Sequence, residues 1–155
     1  MSTYVAECLC KACAVELTGE PGWACYCHCS QCRRALSADY ATLVGADPDK
    51  IKVTRGEFRS YSTGKEERYS CPTCSATVFA DLHHLKQRAI YNSMFTTPNH
   101  GPDGKIADGP FKPALHIFYT SGITKVTDGL PKYEALPAAF GGNDKQVNED
   151  GTPKE

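Results

Sequence analysis

Three cysteine clusters organise this sequence: Cys8-Leu9-Cys10, Cys27-His28-Cys29-Ser30-Gln31-Cys32 and Cys71-Pro72-Thr73-Cys74. Cysteines two or three residues apart converge on one metal ion across a tight turn, so the first and third clusters predict a closed four-thiolate site. The middle cluster supplies three thiolates, which leaves the fourth position of a zinc ion open for water or an incoming thiol. A closed site stabilises a fold, whereas an open site is where zinc does chemistry.

The middle cluster also has a second interpretation, in which it is another structural site. In that case its fourth ligand would be Cys25, Cys13 or His28. We otherwise expect Cys13 and Cys25 to be small buried residues on strands, with Cys25 a possible redox partner of the cluster. Three further histidines are expected at the surface or in loops and not as ligands: His83, His84 and His100.

Composition restricts the class of protein. The chain has 155 residues and a formal net charge of -1, which fits one domain and gives no basic surface for nucleic acid. No apolar run approaches the roughly 18–20 residues that span a bilayer, and the N-terminus lacks the features of a signal peptide. With an odd number of cysteines, nine, we expect a metal-thiolate protein of the reducing cytoplasm and not a disulfide framework.

Short β-branched and aromatic runs alternate with Gly and Pro turns, which predicts a mainly β fold, a sandwich or barrel-like arrangement of short antiparallel strands with little helix. The predicted strands are 4–8, 13–18, 23–27, 40–44, 51–54, 58–61, 67–70, 77–80, 89–95 and 115–119. Helical turns are expected at 32–37 and 81–87. A Pro- and Gly-rich loop is expected at 96–113, either near the site or as a solvated insertion. Residues 1–140 would form one domain, followed by a polar tail, 141–155, disordered from about Asn143.

Beyond the cysteines, four further motifs carry a resemblance to a known family: Arg55-Gly56-Glu57, Arg59-Ser60-Tyr61, His116-Ile117-Phe118 and Asp128-Gly129-Leu130-Pro131. Together with the cysteine order and Arg33-Arg34-Ala35, they resemble the glutathione-dependent formaldehyde-activating enzymes, which are carbon–sulfur lyases that share a domain with centromere protein V. The resemblance covers about residues 4–137. Where that family usually has glycine, this chain has Lys11, Ser37 and Ser75.

The resemblance implies a two-zinc β-tent fold. It assigns a structural zinc to Cys8, Cys10, Cys71 and Cys74, and a catalytic zinc to Cys27, Cys29 and Cys32. The implied reaction joins glutathione and formaldehyde into S-(hydroxymethyl)glutathione, or cleaves that adduct. Glutathione or a related thiol would be the small-molecule partner.

Other candidate residues follow from the chemistry of such a substrate. Cationic side chains suit the carboxylates of glutathione, which makes Arg33, Arg34 and Lys112 candidate anchors. Tyr26 and Tyr91 are candidate proton donors. An alternative function is a non-catalytic module that binds zinc and glutathione, with exposed thiolates forming mixed disulfides.

Overall fold

The computed structural model of the protein describes residues 1–96, 103 and 105–155. The prediction of a mainly β fold is confirmed: the described residues form ten strands in two sheets, of three and seven strands. The strands are β1 (Thr3–Glu7), β2 (Ala14–Thr18), β3 (Trp23–Cys27), β4 (Ala41–Ala46), β5 (Ile51–Arg55), β6 (Arg59–Ser62), β7 (Glu66–Ser70), β8 (Thr77–Leu82), β9 (Gln87–Tyr91) and β10 (His116–Ile117). Each lies within a few residues of a predicted strand.

One α-helix occurs in the described part of the chain, α1 (Ser30–Leu36). It begins at Cys29, whose side chain accepts a hydrogen bond from the backbone N–H of Cys32, and it ends at Ser37 in the left-handed conformation. The predicted turn at 81–87 is a single 3-10 turn, His83–Leu85, because strand β8 continues to Leu82. No helix among the described residues is long and apolar enough to cross a membrane.

The chain divides into two compact units. Unit 1 comprises Met1–Trp23 and Val44–Lys112. In it, β2 lies between β1 and β5 in an antiparallel sheet, and β9, β8, β7 and β6 follow one another as antiparallel neighbours. The largest fully buried side chains of this unit include Leu17, Ile51, Phe79 and Ile90. Around Leu17 in β2, buried residues alternate with more exposed ones. In β8 there is no such alternation, because Val78, Phe79 and Ala80 are all buried.

Unit 2 comprises Ala24–Leu43 and Pro113–Glu155. Here β10 pairs with β3 in parallel, with His116 opposite Tyr26 and Ile117 opposite Cys27. This pair differs from the expected antiparallel arrangement. The predicted strand at 115–119 is shorter than expected because Phe118 has a φ of 51°, which ends the extended conformation.

The segment after Gly141, expected to be disordered, makes specific contacts within unit 2. Val147 is buried and donates its backbone N–H to the Lys132 carbonyl, and Gln146 bridges to Tyr133. The sequence around Val147 is polar, so its composition did not indicate that one buried valine would hold this segment in place. Of the predicted loop at 96–113, residues 97–102 and 104 lie outside the described residues, and His100 is among them.

Candidate metal centres

The first cysteine group is assembled within unit 1. The sulfur atoms of its four members, Cys8, Cys10, Cys71 and Cys74, all lie within 4.8 Å of one another. Cys10 Sγ lies 3.7 Å from both Cys8 Sγ and Cys71 Sγ. Four sulfurs at a Zn–S distance of about 2.3 Å would be about 3.8 Å apart, so this arrangement fits a tetrahedral zinc ion.

Two tight turns make this convergence possible. Cys8 follows β1, and its carbonyl accepts the N–H of Lys11, which has a φ of 65°. Cys71 follows β7, and its carbonyl accepts the N–H of Ser75, which has a φ of 64°. Each turn therefore folds its second cysteine back over its first.

Backbone N–H groups favour the thiolate form in this group. The N–H of Cys13 donates to Cys8 Sγ at 3.3 Å, and that of Thr73 donates to Cys71 Sγ at 3.4 Å. A further N–H, from Cys74, is the largest cause of a lowered pKa of about 6 for Cys71. Metal binding requires deprotonated cysteines, so these donors prepare the group for a cation.

The second cysteine group lies within unit 2, and its sulfur atoms also fall within 4.8 Å of one another. Cys27 ends β3, Cys29 caps α1, and Cys32 lies in the first turn of that helix. The change from strand to helix within six residues is what brings the three sulfurs together. No other Cys, His, Asp or Glu among the described residues joins this group, so it offers three ligands and not four.

The three thiols have unequal acidities. Hydrogen bonds from Cys27 and Cys32 are the largest causes that lower the pKa of Cys29, and the backbone N–H of Cys32 contributes as well. For Cys27, in contrast, contacts with Cys29 and Cys32, together with burial, raise the pKa of the thiol. Negative charge therefore concentrates on Cys29, the member at the helix cap.

His28, between two of these cysteines, does not belong to the group, and its side chain contacts His116 instead. Its Nε2 lies 2.8 Å from His116 Nδ1, and His116 Nε2 lies 2.7 Å from an Asp128 carboxylate oxygen. Lys132 Nζ contacts the other carboxylate oxygen of Asp128 at 2.9 Å. The two histidines and Lys132 are buried. We call these four residues the His–His–Asp–Lys network.

The hydrogen bonds determine which nitrogens carry protons. The Asp128 carboxylate accepts only, so His116 donates from Nε2; because burial lowers the pKa of His116, its ring is neutral and its Nδ1 accepts. His28 then donates from Nε2 and keeps an unprotonated Nδ1, which is buried without a partner among the described residues. Burial first, and then the positive charge that His116 would carry if protonated and the charge of Lys132, lower the pKa of His28 to about 4.

Asp128 keeps its negative charge within this network. Burial alone would raise its pKa, but hydrogen bonds from Lys132 and His116 outweigh that effect and lower it to about 2. Aromatic rings surround the histidines: Tyr26 stacks on His116 at 4.8 Å, and Tyr40 and Tyr119 lie 4.7 and 5.0 Å from His28. The loop between Cys27 and Cys29 is therefore anchored by a packed polar core.

The candidate substrate-binding residues have different surroundings. In unit 2, Arg33 donates to the Ser121 carbonyl at 3.2 Å, Arg34 is exposed, and Tyr26 stacks as described. In unit 1, Lys112 pairs with Asp108, and the buried Tyr91 accepts a hydrogen bond from Arg68. His83 and His84 are exposed, as expected. The structure thus groups Arg33, Arg34 and Tyr26 with the three-cysteine unit.

Cys13 and Cys25 are both buried and belong to neither group. Burial is the main cause that raises the pKa of both thiols, to about 11 for Cys13. Sequence reasoning missed the roles of His116, Asp128 and Lys132 around His28. The available signal was that His116-Ile117-Phe118 and Asp128-Gly129-Leu130-Pro131 were among the motifs that carried the resemblance.

Comparison with known proteins gives three findings. A crystal structure of a Rhodobacter sphaeroides protein from structural genomics is similar in fold, with a TM-score of 0.52 and 22% identity over 64% of this chain and 92% of that chain. No curated protein matches at a significant level. The family model for glutathione-dependent formaldehyde-activating enzymes matches residues 3–121. Since that match covers most of the chain and includes both cysteine groups, the protein belongs to the glutathione-dependent formaldehyde-activating enzyme family.

Proposed function

We propose that the protein is a zinc-dependent carbon–sulfur lyase that forms or cleaves an adduct of glutathione, or of a related thiol, with an aldehyde such as formaldehyde. The observation that carries this proposal is the group of three thiols, Cys27, Cys29 and Cys32, with no fourth protein ligand among the described residues. The family match supports the choice of thiol and aldehyde. In the forward direction, the substrate sulfur bonds to the carbonyl carbon, and the thiol proton ends on the carbonyl oxygen.

The two cysteine groups would then have different roles. Cys8, Cys10, Cys71 and Cys74 would hold a structural zinc, since four ligands close a tetrahedral site. Cys27, Cys29 and Cys32 would hold a catalytic zinc, which when bound supplies Lewis acidity and favours the thiolate form of a thiol. We expect two zinc ions per chain, in a protein that works in the cytoplasm.

The contribution of the protein itself is to hold the three-thiol group in one geometry. The His–His–Asp–Lys network fixes the peptide between Cys27 and Cys29, and the start of α1 fixes Cys29 and Cys32. The rings of Tyr26, Tyr40 and Tyr119 keep water from the two histidines. Because the site is already arranged, the free energy of substrate binding serves to orient the substrate and is not needed to rearrange the site.

The proposal is tested by assaying turnover of S-(hydroxymethyl)glutathione and other thiol–aldehyde adducts with the zinc-loaded protein. Cys32→Ser should lower kcat/KM at least a hundredfold, because it removes one of the three ligands. Cys25→Ala is the matched control, since it is also a buried cysteine of unit 2 but lies outside the group. Equal activity in wild type and Cys32→Ser, or no activity on any adduct, would contradict the proposal and favour a zinc- and glutathione-binding module.

A further inference from the structure

A cavity of about 240 Å³ lies in unit 2, and most of its lining comes from residues beyond the segment that the family model matches. It is lined by residues 122–125 and 149–151, together with Tyr119 and Thr120. Sites for whole drug-sized ligands are roughly 300–1,000 Å³, so this cavity suits one group of a larger ligand. We call it the 122–151 cavity.

Specific hydrogen bonds hold its two walls together. The Tyr119 hydroxyl accepts the N–H of Val126 at 2.9 Å and donates to the Glu149 carbonyl at 2.6 Å. Thr124 is fixed by a hydrogen bond to Asp39 at 2.7 Å. Tyr119 itself is buried, so the two walls share one rigid anchor.

The cavity presents charges of both signs. Lys125 and Glu149 line it, and within the described part of the chain neither side chain has a hydrogen bond or an ion pair. Hydrogen bonds from Thr152, and to a smaller extent the charge of Lys125, lower the pKa of Asp150. Asp150 is already bound to the hydroxyl and N–H of Thr152. Ile123, 65% exposed, adds an apolar surface. A cation, an anion and an aliphatic side chain together match an α-amino-acid group with its ammonium, its carboxylate and its short stem.

The cavity adjoins the peptide that carries the three-thiol group. Gly122 lines it and packs on His28, where a Cβ on Gly122 would lie 3.0 Å from His28 Nδ1. Ser121, next to Gly122, accepts a hydrogen bond from Arg33 of α1, the helix that contains Cys32. The cavity therefore reaches the residue between Cys27 and Cys29 directly through Gly122, and the residue after Cys32 through Ser121, the chain neighbour of Gly122.

From this geometry we propose that the 122–151 cavity binds the zwitterionic α-amino-acid group of the thiol substrate. Lys125 would contact its carboxylate and Glu149 its ammonium, while Ile123 would pack on its stem. The proposal rests on the proposed function for the identity of the substrate. It makes residues 122–125 and 149–151 determinants of thiol specificity, outside the part of the chain that the family model matches.

The test uses S-methylglutathione, which keeps the amino-acid group but has no free thiol to bind a metal. NMR titration of the zinc-loaded protein should shift the amide signals of residues 122–125 and 149–151. Lys125→Glu should weaken this binding at least tenfold. Lys145→Glu, the same change on an exposed lysine of unit 2 outside the cavity, should leave it unchanged. Absence of saturable shifts at these residues, or equal weakening by both substitutions, would overturn the proposal.

A second measurement separates this proposal from the proposed function. Glutathione and 2-mercaptoethanol, which lacks an amino-acid group, are added to the cobalt-substituted protein, and the thiolate absorption bands are followed. We expect both thiols to change the bands, and only the affinity for glutathione to fall in Lys125→Glu. Band changes with both thiols and no loss in Lys125→Glu would overturn the cavity proposal alone. No change with either thiol would contradict the proposed function, while the S-methylglutathione titration still decides the cavity.

Discussion

Three residues of this chain adopt the left-handed conformation at positions where the family usually has glycine. They are Lys11, Ser37 and Ser75, with φ values of 65°, 51° and 64°. For a residue with a Cβ this conformation costs roughly 1 kcal/mol, which glycine avoids. Lys11 and Ser75 close the two turns of the four-cysteine group, and Ser37 ends α1. These three departures from the family pattern therefore lie at strained backbone positions next to the cysteine groups: two in the turns of the four-cysteine group and one at the end of the helix that contains Cys32.

We therefore expect Lys11→Gly to raise the free energy of unfolding by about 0.5–1 kcal/mol, because it removes the strain at an exposed position. Lys52→Gly, on the exposed face of β5, is the control and should lower stability by a similar amount. Chemical denaturation of both variants, each loaded with metal, measures the difference. Lys11→Gly as destabilising as Lys52→Gly would contradict the strain argument.

The buried His28 makes stability depend on pH. Its folded pKa of about 4 lies below its usual value of 6.5, so the unfolded chain binds a proton that the folded chain does not. Stability from this group is therefore complete above about pH 6.5 and is lost as the pH falls toward 4, by up to about 3 kcal/mol. Denaturation of wild type and His28→Gln at several pH values tests this expectation. The difference between them should shrink as the pH falls, and a constant difference would show that His28 does not contribute.

At the scale of elements, the strand pattern was predictable and its interruptions were not. All ten strands were found from alternation and turn residues, since these signals are local. The predicted strand at 89–95 ends at Tyr91, and the chain continues as a 3-10 turn, Asn92–Met94. In this turn the buried Asn92 side chain donates a hydrogen bond to the Phe111 carbonyl. That partner is nineteen residues away, so local pattern could not reveal it.

The same limit applies to the candidate site. The spacing of the cysteines predicted both groups, because each group uses pairs that a short turn brings together. The contact between His28 and His116 spans 88 residues and depends on the parallel pairing of β3 with β10. The register of that pairing was not predictable from the sequence. The sequence therefore indicated that the His28 side chain turns away from the cysteines, but not that His116 is its partner.

The loop from Asp128 to Lys132 connects this network to β10. Asp128→Asn should destabilise the protein by about 2 kcal/mol, because it leaves the buried Lys132 without its anionic partner. The control is Asp108→Asn, which breaks an exposed pair with Lys112 and should have little effect on stability. Thermal and chemical unfolding of the two variants provides the comparison. Equal effects would mean that the network does not stabilise unit 2.

At the scale of the whole molecule, each of the two units carries one cysteine group. The four-cysteine group joins the turn after β1 to the turn after β7 in unit 1, so a metal there would contribute directly to folding. The three-cysteine group lies on one short stretch of chain, so a metal there closes no long loop. This difference fits the structural and catalytic roles that we propose for the two groups.

It follows that Cys71→Ser should cost at least about 3 kcal/mol of stability, whereas Cys32→Ser should cost much less. Both residues are buried, so the comparison controls for the loss of a buried sulfur. The free energy of unfolding is measured for each variant loaded with zinc. The reference is the free energy of unfolding of the wild type after a chelator has removed its zinc. If Cys32→Ser is the more destabilised of the two, the roles that we propose for the groups are reversed.

The most direct test of the proposed open site is native mass spectrometry under reducing conditions, with and without glutathione. We expect two zinc ions in the wild type and one in Cys32→Ser, with non-covalent binding of glutathione to the two-zinc form and markedly weaker binding to the variant. One zinc ion in both proteins, or glutathione attached only through a disulfide, would contradict a zinc site formed by Cys27, Cys29 and Cys32.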